Sequence, residues 1–166
     1  MSYADYTKTR GNIDILNEDV IFSLLAEKTV DRIHDLALFY SVGIKIRGSQ
    51  QMKCPSCIVL PKKIEIIESP VSGKRFQNDY YVSFGVAVKG PNDCILMQQV
   101  LGYEKKIRSA FIVGDDGAPI LIFSSVAGHY NTRIIPSIIE PIDLFAEEIL
   151  GFSCGFDVVY SVWESY

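Results

Sequence analysis

Apolar and polar residues recur along this chain with two periods, one of about 3.6 residues and one of 2, and the switches between them predict the elements. From Glu18 to Val42 the apolar positions Val20, Ile21, Leu24, Leu25, Ile33, Leu36, Ala37 and Tyr40 follow a helical spacing. Asn17 is the expected N-cap, Glu18 and Asp19 suit the positive end of the helix dipole, and Gly43 is the expected C-terminal cap. The polar patch Glu27-Lys28-Thr29 leaves open a division into two shorter helices. Gly48 to Pro55 predicts a loop and Ile58 to Glu68 a strand with Lys62, Lys63 and Glu65 in water, where Pro61 calls for an edge or a bulge.

After the turn cluster Ser69-Pro70-Val71-Ser72-Gly73, Tyr80 to Val88 alternates cleanly. Tyr80, Val82, Phe84, Val86 and Val88 share one face; Tyr81, Ser83, Gly85 and Ala87 share the other. Gly90 to Asp93 predicts a turn, and Cys94 to Tyr103 fits either a short helix or a strand, with the helix preferred. Ile107 to Val126 holds two apolar runs around Asp115-Asp116-Gly117, which predicts a β-hairpin. Gly128 to Arg133 is then expected as a loop, and Ile134 to Leu150 as a helix interrupted by Pro136 and Pro141, firm from Ile142 and stopped by Gly151. Phe156 to Trp163 predicts a last strand or a docked extension.

This order of elements predicts an α+β fold with a largely antiparallel sheet flanked by N- and C-terminal helices. The expected organisation is a leader over 1–17, a single α+β domain over 18–151 and an aromatic C-terminal extension over 152–166. Such a sheet usually carries helices on one face and leaves the other for a ligand or partner.

Composition narrows the classes of function. The 166 residues suit one hydrophobic core, and 48% hydrophobic residues argue against disorder. A net charge of −4, from 16 Lys and Arg against 20 Asp and Glu, speaks against a nucleic-acid footprint. No uncharged run approaches the roughly 18 residues of a membrane span. The first residues lack a basic stretch followed by an apolar one, so a cytoplasmic location is expected. In that setting Cys54, Cys57, Cys94 and Cys154 are expected to be free thiols.

Residues Ile107-Arg108-Ser109-Ala110-Phe111-Ile112-Val113, Asp116-Gly117 and Ile120-Leu121-Ile122-Phe123-Ser124-Ser125 resemble the end of a GAF domain. The motif covers 107–125, and the order of elements extends the likeness over about residues 18 to 151. The resemblance implies a small-molecule sensing or regulatory module, dimeric through its terminal helices, with its pocket between the sheet and the region from Gly90 to Tyr103. On this basis Tyr81, Phe84, Val86, Ile95, Leu96 and Tyr103 are the expected pocket lining, with His129 at the rim. The same order also resembles type III secretion chaperones, which bind a protein instead of a metabolite. Fold by itself does not separate the two.

No residues here have the types and spacing of a known reaction, so none is assigned as catalytic. Phosphate loops, a serine nucleophile elbow and a His-Glu-x-x-His pair are missing from the sequence. Cys54-Pro55-Ser56-Cys57 has the spacing of a redox pair or half a zinc site, but no second pair follows, and two unremarkable thiols in a loop are the plainer reading. Stand-alone members of the resembled family reduce methionine sulfoxide through cysteines, which makes Cys94, in the pocket region, a candidate thiol and a cysteine-dependent reductase a third reading. His34 is expected as a partly exposed helix residue, and Asp115-Asp116 as turn formers rather than a metal pair. With nine Tyr, nine Phe and one Trp, the aromatic tail suits either the core or an interface.

Overall fold

The computed structural model describes residues 20–44, 54–68, 75–89, 93–112, 114, 117, 120–142 and 150–165. The expected leader, the turns at 69–73 and 90–92 and most of the loop after Gly48 lie outside them. Helix α1 spans Val20–His34 and buries Phe22, Leu25, Ala26, Thr29, Val30 and Ile33, one continuous stripe. The polar patch does not divide it, because Thr29 turns inward and donates to the Leu25 carbonyl at 2.6 Å.

The helix stops at His34, nine residues before the expected cap. Its last turn tightens through Leu36 N–H to Ile33 O at 3.1 Å and Ala37 N–H to His34 O at 3.1 Å. Ala37, at φ 54°, takes the left-handed position that a glycine usually occupies. Gly43, read as the cap, instead closes strand β1, Ser41–Gly43.

Strand β2 (Ser56–Glu68) and strand β3 (Arg75–Val88) form a long antiparallel pair. β1 runs parallel to the start of β2, Ser41 opposite Ser56 and Gly43 opposite Ile58. Past Ile58 the outer edge of β2 has no partner among the described residues. The pairing of β2 with β3 shifts register between Pro61 and Lys63, an irregularity of the kind at which a proline is tolerated in a strand.

Helix α2 covers Asp93–Ser109. Its buried positions Leu96, Val100, Glu104 and Ile107, followed by Phe111, carry a helical period straight through the residues read as the first hairpin strand. The expected hairpin is therefore corrected: Ile107 is helical, and 120–125 is irregular. Burial along one helix ridge outweighs the local β preference of Ile107, Phe111 and Ile112. Only the turn persists, with Gly117 at φ 78° and its N–H on Gly114 O at 3.1 Å.

Residues 129–136, expected as loop and helix, form strand β4 (His129–Pro136). Pro141–Ile142 pairs as the short strand β5, so the predicted C-terminal helix does not begin at Ile134; its remaining part, 143–149, lies outside the described residues. Strand β6, Leu150–Ser165, contains the aromatic tail and lies between β3 and β4. The last segment is thus the middle of the sheet, not an appendage.

The result is an α+β architecture with sheet order β1-β2-β3-β6-β4, antiparallel except at β1, and β5 paired with β6. Both helices cover one face. There Tyr80, Val82, Phe84, Val86 and Val88 of β3 pack with Phe156, Val158, Tyr160 and Val162 of β6, beneath Leu25, Val30, Ile33, Leu96 and Val100. Phe84 meets both Phe111 and Phe156, with ring centroids 5.4 and 5.3 Å apart. Among the described residues no helix is long and apolar enough to cross a membrane.

Candidate functional site

The second half of α1 faces residues 122–125 across a cleft of about 350 Å³. Lys28, Asp31, Arg32 and Asp35 line one side, at positions i, i+3, i+4 and i+7 of a single ridge. Ile122, Phe123, Ser124 and Ser125 line the other. Arg32 fastens the ridge to the end of α2, its Nε donating to Ala110 O at 2.5 Å.

The opposite wall has no strand ladder, and side chains of β4 hold it instead. The Phe123 N–H donates to His129 Nδ1 at 2.9 Å. His129 Nε2 lies 2.9 Å from Thr132 Oγ1, and the Thr132 hydroxyl donates to Leu121 O at 2.6 Å. Because that hydroxyl proton is committed to a carbonyl, its oxygen accepts from Nε2–H, and His129 is the neutral Nε2 tautomer. The relay starts on the Phe123 backbone and returns to the Leu121 backbone, clamping a three-residue segment at both ends. Leu121 and Val126 bury their side chains below it. Phe123 packs on His129 and Tyr160, with each ring centroid 5.5 Å away. Burial lowers the His129 pKa to about 4, against a smaller upward pull from the Asn131 carbonyl.

Tyr160 links the two walls. Its hydroxyl lies 2.6 Å from Thr29 Oγ1, whose own proton goes to Leu25 O, so Tyr160 is the donor. Burial pushes its pKa up.

The seven residues expected to line a pocket do not converge. Phe84, Val86 and Leu96 are buried in one packed cluster, and Tyr103 packs against that cluster and against Phe39, 5.1 Å between ring centroids. Ile95 is exposed on the outer side of α2. Tyr81 is on the opposite face of β3, with its hydroxyl on Glu65 at 3.1 Å and the Lys63 ammonium 4.3 Å from its ring centre. His129 is buried at the start of β4, one layer behind the cleft wall instead of at a rim.

The cysteines are dispersed in environment. Cys57 is fully buried and its pKa is raised well above the usual thiol value, first by desolvation and then by Cys154. Burial also raises Cys54, and it raises Cys154 to about 12. These shifts run opposite to the low pKa that thiol redox chemistry needs, and Cys57 lies in strand β2 instead of the expected loop. Cys94 is exposed on α2, and His34 is exposed at the end of α1. Among the described residues no three or more His, Cys, Asp or Glu side chains are arranged to hold a metal ion, Cys54 and Cys57 included.

The sheet face without α1 and α2 carries ion pairs inside apolar strands. Asp79 is fully buried, accepting from Arg133 Nη2 and from Ser161 Oγ, both at 2.7 Å. Asp157 is held by Lys62 at 3.0 Å. Each carboxylate has its own cation, the pattern of structural ion pairs rather than of a catalytic dyad.

No protein-family model matches this chain, and no curated protein matches it. Its residues are therefore the sole basis for assigning the cleft. Sequence reading passed over the cleft residues because Lys28, Asp31, Arg32 and Asp35 look like a solvated helix face. The available signal was their common ridge, which stays polar while the stripe behind it is apolar apart from Thr29.

Proposed function

We propose that this chain is a small-molecule-binding regulatory domain whose ligand site is the cleft between α1 and residues 122–125. The observation that carries the reading is the preorganised wall: the hydrogen-bonded relay through His129 and Thr132 holds Leu121 to Phe123, and the wall continues through Ser124 and Ser125 opposite a charged ridge. A concavity with polar groups on both sides suits ligand capture, and about 350 Å³ falls within the size range of small-ligand sites. The GAF resemblance contributes the class of function, sensing of a small molecule, and not the position of the pocket.

The test is an amide shift map of the full-length 15N-labelled chain against a library of polar fragments, with native mass spectrometry for any retained adduct. Perturbations should cluster at Lys28, Asp35 and Phe123 to Ser125. A library that moves no amide in this cleft removes the reading.

A second reading, binding of an extended protein segment, is favoured by β2. Its edge past Ile58 has no partner among the described residues, and Ile64 and Ile66 are 41% and 63% exposed. Such an edge can accept an added strand, although Lys62, Lys63 and Glu65 oppose indiscriminate pairing. A complex with a chemically unfolded reporter protein, lost in Ile66→Asp, would support it; no complex at micromolar concentrations would dismiss it.

A further inference from the structure

We propose that the ligand of this cleft is a small zwitterion carrying an acidic and a basic group at opposite ends of a short chain, an inference that rests on the cleft being the ligand site. Lys28 and Asp35 stand at the two ends of the charged ridge, and none of the ion pairs among the described residues uses either of them. Seven helical residues separate their backbones by about 10 Å at 1.5 Å per residue. One open cation and one open anion at that spacing complement a ligand with two poles. A purely anionic ligand would place charge against Asp35, and a purely cationic one against Lys28.

The helix fixes the orientation. Its C-terminal carbonyls carry the negative end of the dipole beside Asp35, so the basic pole belongs there and the acidic pole at Lys28. Between the poles, Phe123 offers an apolar surface to a chain of a few methylenes, and Ser124 and Ser125 offer hydroxyls. The ridge is half-buried at Lys28 and exposed at Asp35, so the poles are reachable without opening the core.

The probe is ε-aminocaproate, titrated into the full-length 15N-labelled chain, with glycine as a zwitterion too short to span the ridge and caproate and n-hexylamine as single-pole controls. The long zwitterion should shift Lys28, Asp35 and Phe123 to Ser125 and bind several-fold more tightly than the three controls. Lys28→Met should weaken it about threefold and erase its advantage over n-hexylamine; Asp35→Asn should weaken it about threefold and erase its advantage over caproate, the size of effect of a partly exposed ion pair. Lys28 is half-buried on α1 and Asp35 is exposed just after its last residue, and an unchanged thermal midpoint shows that the variants fold. If caproate or n-hexylamine maps to the cleft as tightly as the zwitterion, the ligand class is wrong while the cleft remains a site. If fragments bind there but ε-aminocaproate does not, the class is again overturned. If neither binds, the cleft reading itself falls.

Discussion

The Phe123 N–H rests on His129 Nδ1 at 2.9 Å, and that single bond ties a loop without strand pairing to the first residue of β4. Because the other imidazole nitrogen donates toward Thr132, protonation of Nδ1 would place two donors face to face. The wall of the cleft is thus stable only with a neutral histidine.

A pH dependence follows from that requirement. The folded pKa of His129 is lowered from the ordinary 6.5 to about 4, so the unfolded chain binds this proton more readily. The stabilisation is fully present above pH 6.5 and is lost progressively as pH falls toward 4. His129→Ala, which leaves the Phe123 N–H without its acceptor, should cost about 1–3 kcal/mol near neutrality. Thermal midpoints measured across that window should bring wild type and variant together at the acidic end. A constant gap between them would show that His129 does not carry this linkage.

Asp79 and Arg133 should respond unequally to removal. Arg133→Ala leaves a fully buried carboxylate with only the Ser161 hydroxyl, an uncompensated charge that costs about 3–5 kcal/mol. Asp79→Ala leaves an arginine whose side chain is 44% exposed and can return to water. Urea denaturation should therefore find the arginine variant clearly less stable than the aspartate variant. Equal losses would mean that Asp79 is not held in the interior as described.

Two glycines with positive φ should differ sharply. A Cβ at Gly128 would lie 2.1 Å from the Trp163 carbonyl oxygen, whereas one at Gly117 meets nothing within 4 Å. Gly117→Ala then carries only left-handed backbone strain, about 1–3 kcal/mol at most. Gly128→Ala adds a backbone clash where Trp163 N–H also bonds Gly128 O at 2.9 Å, and it should displace the start of β4. Chemical denaturation of the two variants gives the ranking, which fails if Gly117→Ala is the more damaging.

The thiols should divide by burial. Cys94 should alkylate rapidly in the native chain, while Cys57 and Cys154, buried and with raised pKa, should react only on unfolding. Mass spectrometry after a timed iodoacetamide pulse distinguishes them. Rapid native labelling of Cys57 would reopen a redox role for the Cys54–Cys57 pair.

Much of the fold was legible where one period ruled a segment. Tyr80 to Val88 alternates without interruption and forms β3 with the expected buried face. Pro61 marked the bulge in β2. Reading failed where apolar residues satisfied both periods. Ile107 and Phe111 are as apolar as strand residues, but they continue the ridge of Leu96 and Val100, and only packing against the sheet reveals it. The cleft was missed for a related reason: Lys28, Asp31, Arg32 and Asp35 gain significance only from the segment that faces them.

The sequence by itself determined the class of structure: an α+β chain with an N-terminal amphipathic helix, charged residues on the exposed positions of β2, and enough apolar side chains for one core. These follow from local preference and from the alternation of burial, which act over a few residues. Only tertiary structure decided that the last strand occupies the middle of the sheet and that His129 reaches back to hold Phe123. It also decided that Tyr160 finds Thr29, 131 residues away in the chain. Such contacts depend on which surfaces meet once the sheet is assembled, and no periodicity along a single segment encodes the partner.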